Sequence, residues 1–262
     1  MSAVPAGSSM VQKAVTVDCR VSDVRRHGTF AVVSLVAPHL ARRAVPGQFV
    51  MVAVPRGGFV LRRPLSVHAV RGDSIALLIE ARGHGSAALA AVDVGQTLSL
   101  AGPLGTGFVT EGVQSALLVG GGIGVAPFQM LAERLAAAGS YVTAAFGFRD
   151  HRQARVAGAF DIPQLWVATE DGSLGRRGTA VELAETLAVQ PGTVVYACGP
   201  LPMIGAVQRW AQSHELTGQA SLEAHMACGS GSCHGCVIET TAGYLRVCSE
   251  GPVFDLRMVI AP

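Results

Sequence analysis

Leu117-Leu-Val-Gly-Gly-Gly122-Ile-Gly124-Val-Ala-Pro127 is the stretch on which the fold turns. The apolar run Ser115–Val119 reads as a buried strand, the glycines as a tight turn, and Ala126–Ala138 as a helix stopped by Gly139. Strand, Gly-rich turn and helix in that order begin a βαβ unit, and such units build a parallel sheet. The dinucleotide fingerprint G-x-G-x-x-G is met at Gly122 and Gly124, but Pro127 stands where the third glycine belongs. Proline suits a first helical turn, because the N–H it lacks has no partner there. The turn therefore still offers a helix N-terminus to a phosphate, with Gly121, Gly122 and Gly124 as the candidate contacts. Gly-rich strand–helix turns also occur without a ligand, so this stretch sets the fold and leaves the function open.

Downstream, Tyr141–Phe148, Gln164–Ala168 and Thr193–Ala197 read as strands, and Val181–Leu187 and Pro202–Ser213 as helices. Upstream the pattern is different. Val15–Val24, Thr29–Val36, Gln48–Val54, Leu65–Val70, Ile75–Ala81 and Gly95–Leu100 are short β runs, with a short helix over Gly85–Val92. Pro46-Gly47, Arg56-Gly57-Gly58 and Arg71-Gly72-Asp73 are the turn signals between them. Strands at this spacing predict an antiparallel barrel. Residues 1–13 read as a mobile leader without an apolar signal segment. The chain then divides into a β-barrel over 14–110, an α/β domain over 111–215 and a small C-terminal module over 216–262, in which Val237–Thr241 and Tyr244–Val247 are strand candidates.

That last module holds Cys228-Gly-Ser-Gly-Ser-Cys233-His-Gly-Cys236, followed by Cys248. The spacing C-x4-C-x2-C with a distant fourth cysteine is that of plant-type [2Fe–2S] ligation. Four thiolates must converge on a small rhomb while backbone N–H groups turn toward the sulfurs, and the interleaved glycines allow this. Structural zinc sites favour paired C-x2-C spacings, and only one occurs here. Disulfides suit small secreted chains, which this is not. Cys228, Cys233, Cys236 and Cys248 are the expected ligands, and His234 is a loop residue beside them.

The 262 residues carry a net charge of +2 with only 15% charged side chains, which leaves no basic footprint for nucleic acid. Half the residues are hydrophobic, yet the best apolar run, Ala116–Leu131, is broken by glycines, Pro127 and Gln129, so no membrane span is expected. Cys19 and Cys198 fit reduced thiols of a cytoplasmic protein.

Three further stretches carry chemistry. Arg62-Arg63-Pro64-Leu65-Ser66 sets an arginine fork at a barrel rim, and Glu80-Ala-Arg-Gly83-His-Gly85-Ser86 leads into a helix N-terminus. Together they suit a dinucleotide pyrophosphate, or else an arginine ion pair and a turn capped by Ser86. Tyr196-Ala-Cys198-Gly199-Pro200 ends a strand at the carboxyl edge of the sheet, where such folds bind ligands. Cys198 there either faces the crevice or is a small buried apolar residue. Thr169-Glu170-Asp171-Gly172-Ser173 ends another strand, as a ribose contact or a simple turn.

Arg63-Pro-Leu-Ser66, the Gly-rich stretch ending at Pro127 and Cys198-Gly-Pro200, in that order, resemble the ferredoxin–NADP reductase superfamily. The tail from Glu223 through the cysteines to Phe254 is similar to the electron-transfer subunits of class 1B dihydroorotate dehydrogenase, and the likeness spans Ala14 to Phe254. It implies an FAD barrel, an NAD domain and a [2Fe–2S] module. It implies FAD contacts at Arg63, Pro64, Leu65 and Ser66, at Leu78, Ile79 and Glu80, and at Gly85 and Ser86. It also implies NAD contacts around Gly199 and Pro200, with Cys198 beside the nicotinamide, shaping the hydride geometry rather than attacking as a nucleophile. Leu65 departs from the tyrosine of many superfamily members, Ser86 from the usual threonine, His225 from a frequent arginine, and Ser249-Glu250 from the common pair.

Electron counting orders the expected chain. Nicotinamide exchanges hydride, an iron–sulfur cluster exchanges single electrons, and a flavin does both. The resemblance then implies a partner, an FMN-bearing catalytic subunit that oxidises dihydroorotate to orotate, in a heterotetramer of two copies of each chain. Rival readings are the flavin/iron–sulfur subunit of an NAD(P)H-dependent sulfide dehydrogenase or ferredoxin–NADP oxidoreductase, and a non-catalytic redox or zinc-binding protein. Arg149, Arg152 and Arg155 leave NADP open beside NAD.

Overall fold

The computed structural model describes residues 14–55 and 58–261. The expected leader and Arg56-Gly57 of one turn lie outside the described residues.

The first part is a closed antiparallel barrel, as the strand spacing predicts. Its strands are β1 (Val15–His27), β2 (Phe30–Val36), β3 (Phe49–Val52), β4 (Arg63–Arg71), β5 (Ser74–Glu80) and β6 (Thr97–Leu104). Helix α1 (Pro38–Ala41) follows β2, and α2 (His84–Ala90) follows β5. The strands close in the order β1-β2-β5-β4-β3-β6. Side-chain alternation explains the closure. Val33, Leu35, Val50, Val52, Val67, Ile75, Leu77 and Ile79 fill the interior. Their neighbours on β3 and β5 point outward but are also buried. Phe49 and Met51 join a core that contains Cys236 and Cys248, and Leu78 joins one that contains Phe128 and Phe146. Two outer faces of the barrel are therefore covered by the rest of the chain.

The second part contains β7 (Ser115–Gly121), α3 (Phe128–Ala137), β8 (Tyr141–Phe148), α4 (His151–Ala154), β9 (Gln164–Thr169), β10 (Arg176–Arg177), α5 (Ala180–Ala184), β11 (Val194–Cys198), α6 (Leu201–Ser213) and β12 (Thr217–Ser221). These strands pair in parallel in the order β10-β9-β8-β7-β11-β12. The order reverses between β7 and β11, which places a ligand crevice beyond their carboxyl ends. A hairpin, β13 (Val237–Thr240) with β14 (Gly243–Arg246), follows the cysteine loop, and β15 (Val253–Asp255) runs antiparallel to β12 at the sheet edge. The sheet thus continues past residue 215 into the stretch read as the C-terminal module. Thr217-Gly-Gln-Ala-Ser221 carries no run of large apolar side chains, so its pattern conceals a strand. Gly218 lets it close on β11, since a Cβ there would lie 2.6 Å from the Val195 carbonyl oxygen.

One glycine fixes the crevice. A Cβ on Gly124 would sit 2.4 Å from the Cys198 carbonyl oxygen and 2.6 Å from Gly199 Cα, and main-chain atoms cannot swing aside. Gly124→Ala is expected to cost about 1–3 kcal/mol by overpacking, read as a lowered urea midpoint with an unchanged slope.

Candidate functional site

The cysteine loop is shaped by glycines in left-handed backbone, with φ of +68° at Gly229 and +81° at Gly231. His234 also adopts positive φ. This winding turns main-chain N–H groups onto sulfur. Ser230 and Cys233 donate to Cys228 Sγ, both at 3.4 Å, and Gly231 donates to Cys248 Sγ at 3.1 Å. Gly235 donates to Cys233 Sγ and Cys248 to Cys236 Sγ, each at 3.4 Å. All four thiols are free of disulfides. Among the described residues no three His, Cys, Asp or Glu side chains converge on one ion position. Four free thiols that accept from loop amides fit the ligand set of a plant-type [2Fe–2S] cluster.

Electrostatics set Cys228 and Cys248 apart. Burial pushes the Cys228 thiol up, but the Ser230 and Cys233 amides outweigh it and bring it down to about 6. Burial and the neighbouring Cys236 push Cys248 the other way, up to about 12. Arg246 braces the loop. Its Nη1 donates to the Gly231 carbonyl at 3.0 Å, while its Nε donates to Glu250 at 3.0 Å. That arginine holds the Glu250 carboxyl down to about 2.

The barrel offers a slot of matching purpose. Arg63–Ser66 pair only with β3, and pairing of β4 with β5 starts at Val67 opposite Leu77. Leu78–Glu80 pair only with β2. The facing edges of 63–66 and 78–80 are thus splayed apart, with main-chain groups turned toward the gap. Leu78 and Ile79 bury their side chains in two different cores, so they present backbone to the gap. The N-terminus of α2 lies at its mouth. There the Arg63 guanidinium rests on Gly85, where a Cβ would come within 2.9 Å of Nε. The two stretches singled out in the sequence therefore meet. Ser86 is occupied as a cap: its Oγ accepts from the Arg82 and Gly83 amides, each at 3.0 Å. Arg62 is structural, with Nη1 donating to the Ser99 carbonyl at 2.7 Å.

A cleft of about 350 Å³ lies beyond the strand ends of the parallel sheet. Gly121, Gly122, Gly199 and Pro200 line it, with Arg149 and Glu170 toward one side and Arg82 and Glu223 toward the barrel. Glu80 is buried, ion-paired to Arg82 at 2.5 Å, and accepts from Gln153 of α4 at 3.0 Å. Cys198 is 3% exposed, and burial pushes its thiol well up. Asp171 accepts from the Ser173 amide and hydroxyl, so that stretch closes on itself as a turn, while Glu170 faces the cleft.

Glu223 was not singled out from the sequence as a cleft residue. Solvent reaches it, yet crowding raises its carboxyl, with Arg82 opposing and Glu80 adding to the rise. Its one sequence signal is that it opens the tail motif. Arg246 gives no signal at all, because its partners are main-chain atoms and a glutamate one helical turn away in number.

Residues 223–260 match the iron–sulfur cluster binding domain of dihydroorotate dehydrogenase B. The electron-transfer subunit of dihydroorotate dehydrogenase B (NAD(+)) from Caldanaerobacter subterraneus subsp. tengcongensis is 37% identical over 82% of this chain and 87% of its own length. That of Listeria monocytogenes is 36% identical over 80% and 85%. The chain belongs to the family of dihydroorotate dehydrogenase B electron-transfer subunits. Its fold is shared with the solved NADH-dependent reduced ferredoxin–NADP oxidoreductase, at a TM-score of 0.84, 24% identity, and 93% and 90% coverage. Phthalate dioxygenase reductase, which transfers electrons from pyridine nucleotides to [2Fe–2S], aligns at a TM-score of 0.60 and 15% identity over 86% of this chain and 87% of that one. Among the described residues no helix is long and apolar enough to cross a membrane.

The cysteine loop of this family member leans directly on the barrel. A Cβ on Gly229 would lie 2.6 Å from Met51 Cγ of β3, in a backbone conformation that side chains avoid. Gly229→Ala is expected to leave FAD content unchanged and to reduce iron per chain at least several-fold, measured by metal analysis of the purified protein.

Proposed function

We propose that this chain carries electrons between an FMN-bearing dihydroorotate dehydrogenase catalytic subunit and NAD⁺ in the oxidation of dihydroorotate to orotate, a step of pyrimidine biosynthesis. The observation that carries this reading is the position of β3. Met51 stands opposite Pro64 of the flavin stretch on one side and against Gly229 of the cysteine loop on the other. One strand thus connects the slot that suits a flavin to the loop that suits a cluster. FAD held here exchanges hydride with a nicotinamide and single electrons with a [2Fe–2S] cluster, which is the chemistry that neither protein nor cluster supplies alone.

The residues have separable tasks in this reading. Arg63 neutralises the FAD pyrophosphate together with the α2 amides at Gly85 and Ser86. Pro64, Leu65 and Ser66, with the main chain of Leu78–Glu80, hold the flavin ring in the slot. Gly121, Gly122 and Gly124 admit the dinucleotide close to the sheet, and Gly199 and Pro200 form the opposite wall. Glu170 at the end of β9 suits ribose hydroxyls and repels a 2′-phosphate, which favours NAD over NADP. Cys198 remains a protonated thiol behind that wall and shapes it. Cys228, Cys233, Cys236 and Cys248 would hold the cluster and pass single electrons through it.

Residues 232–235 of the loop are exposed, and in this reading the partner lies against them. We assign a heterotetramer of two copies of each chain, and a cytoplasmic location that suits six free thiols.

Cys233→Ser separates the two halves of the function. The variant is expected to retain NADH–dye reductase activity within a few-fold, and to lose NAD⁺ reduction by dihydroorotate when assembled with the catalytic subunit. Full coupled activity in a chain without the cluster would refute the proposal. Arg63→Ala tests the flavin half: FAD per chain should drop at least tenfold for loss of a charge-assisted pair, read by absorbance after gel filtration.

A further inference from the structure

Barrel and nucleotide domain touch through Leu78 and Phe30, which pack with Phe128, Phe146 and Phe148. Apolar contact is non-directional and permits sliding. Hydride transfer needs a defined approach of nicotinamide to flavin, so something directional must fix the two bodies. The candidate is on the flavin strand itself. His68 follows Ser66 by two residues on β4, is 2% exposed, and leaves the barrel for the interface. Its Nδ1 lies 2.8 Å from the carbonyl oxygen of Ala126, the residue between the Gly-rich turn and Pro127. Phe160 meets the ring edge-on at 5.0 Å and 87°.

Three residues further along β4, Arg71 extends the contact. Its two terminal nitrogens grip the Glu133 carboxylate of α3, and Gln129 donates to Glu133 as well. Gln129 Oε1 accepts from the Asp161 amide at 2.8 Å. The network therefore runs from the strand of the flavin stretch, through the helix that follows the Gly-rich turn, to the 159–161 segment. It is directional at each link.

We propose that His68 is a positioning residue, which with Arg71 locks the flavin strand to the Gly-rich turn and thereby sets the approach of nicotinamide to flavin. The inference rests on the redox reading given above. Burial keeps the ring neutral, below the ordinary histidine value; the Ala126 and Ala159 carbonyls and Glu133 oppose that shift, and Arg71 adds to it. A neutral ring has one N–H to donate, and Ala126 is the acceptor at 2.8 Å. That bond to the turn, with the arginine fork beyond it, joins the Gln153–Glu80 bond as the directional content of the interface.

The test uses the FAD- and iron-loaded chain, titrated with NADH without oxygen. Wild type should develop the long-wavelength absorbance of a stacked nicotinamide–flavin pair. His68→Phe preserves the ring and its contact with Phe160 but donates nothing. It should keep FAD and iron content while losing that absorbance, with flavin reduction by NADH slowed about tenfold to a hundredfold. His68→Asn, which places an N–H near the Nδ1 position, should restore both substantially. Where His68→Phe fails to retain FAD, Arg71→Gln carries the same measurement, since it cuts the solvent-facing part of the network. Wild-type absorbance and rate in His68→Phe, or in Arg71→Gln where that variant is the one measured, would overturn the proposal. So would equal loss in His68→Phe and His68→Asn, because bulk packing would then be the cause. A wild-type chain that takes up no FAD or is not reduced by NADH would instead overturn the redox reading itself.

Discussion

Everything in this chain hangs on a strand of four residues that is buried on both faces. Phe49–Val52 sends Val50 and Val52 into the barrel and Phe49 and Met51 into the core that holds Cys236 and Cys248. An edge-exposed β3 would leave the cysteine loop tethered only by the chain. With Met51 against Gly229, the loop instead closes on the wall of the slot. The distance between two redox centres is then a matter of side-chain packing, which is stiff, rather than of linker length, which is not. This constraint also explains why the loop needs glycine where it meets the barrel: no other residue offers both the conformation and the clearance.

The charges follow the same logic. Cys228 is brought down to about 6 by amides of its own loop, and the loop is held by Arg246, whose charge is matched by Glu250. Nothing in that arrangement depends on the barrel. The cleft is different, because Glu80 belongs to the barrel, Gln153 to the nucleotide domain, and Glu223 to the start of the tail. The module that holds sulfur is thus electrically self-contained, whereas the crevice for a dinucleotide is assembled from three parts of the chain and exists only when they are docked.

Much of this was legible in the sequence, and the reason is local. Left-handed glycines, a thiol spacing and a strand–turn–helix are short-range patterns, so the cysteine loop and the parallel sheet could be expected from residues alone, whereas the pairing of the Arg63 and Gly85 stretches was one of two open readings. Ser86 illustrates an open choice that geometry resolves: its hydroxyl caps its own helix. What escaped was non-local. β12 has too few apolar residues to announce itself and is a strand only because β11 and β15 flank it. Leu65–Val70 was readable as a strand, but not that His68 within it would leave the barrel, since a β-bulge between Val67 and Ala69 interrupts its register with β5.

That bulge links the two themes. A regular β4 would pair with β5 along its full length and close the gap between Arg63–Ser66 and Leu78–Glu80. The slot exists because pairing stops at Val67, and the irregularity there coincides with the residue that reaches Ala126. Opening the barrel for a flavin and docking the nucleotide domain are in this sense one structural event. The strand gives up ladder hydrogen bonds on one side of the bulge, and the chain recovers a directional contact at the bulge itself.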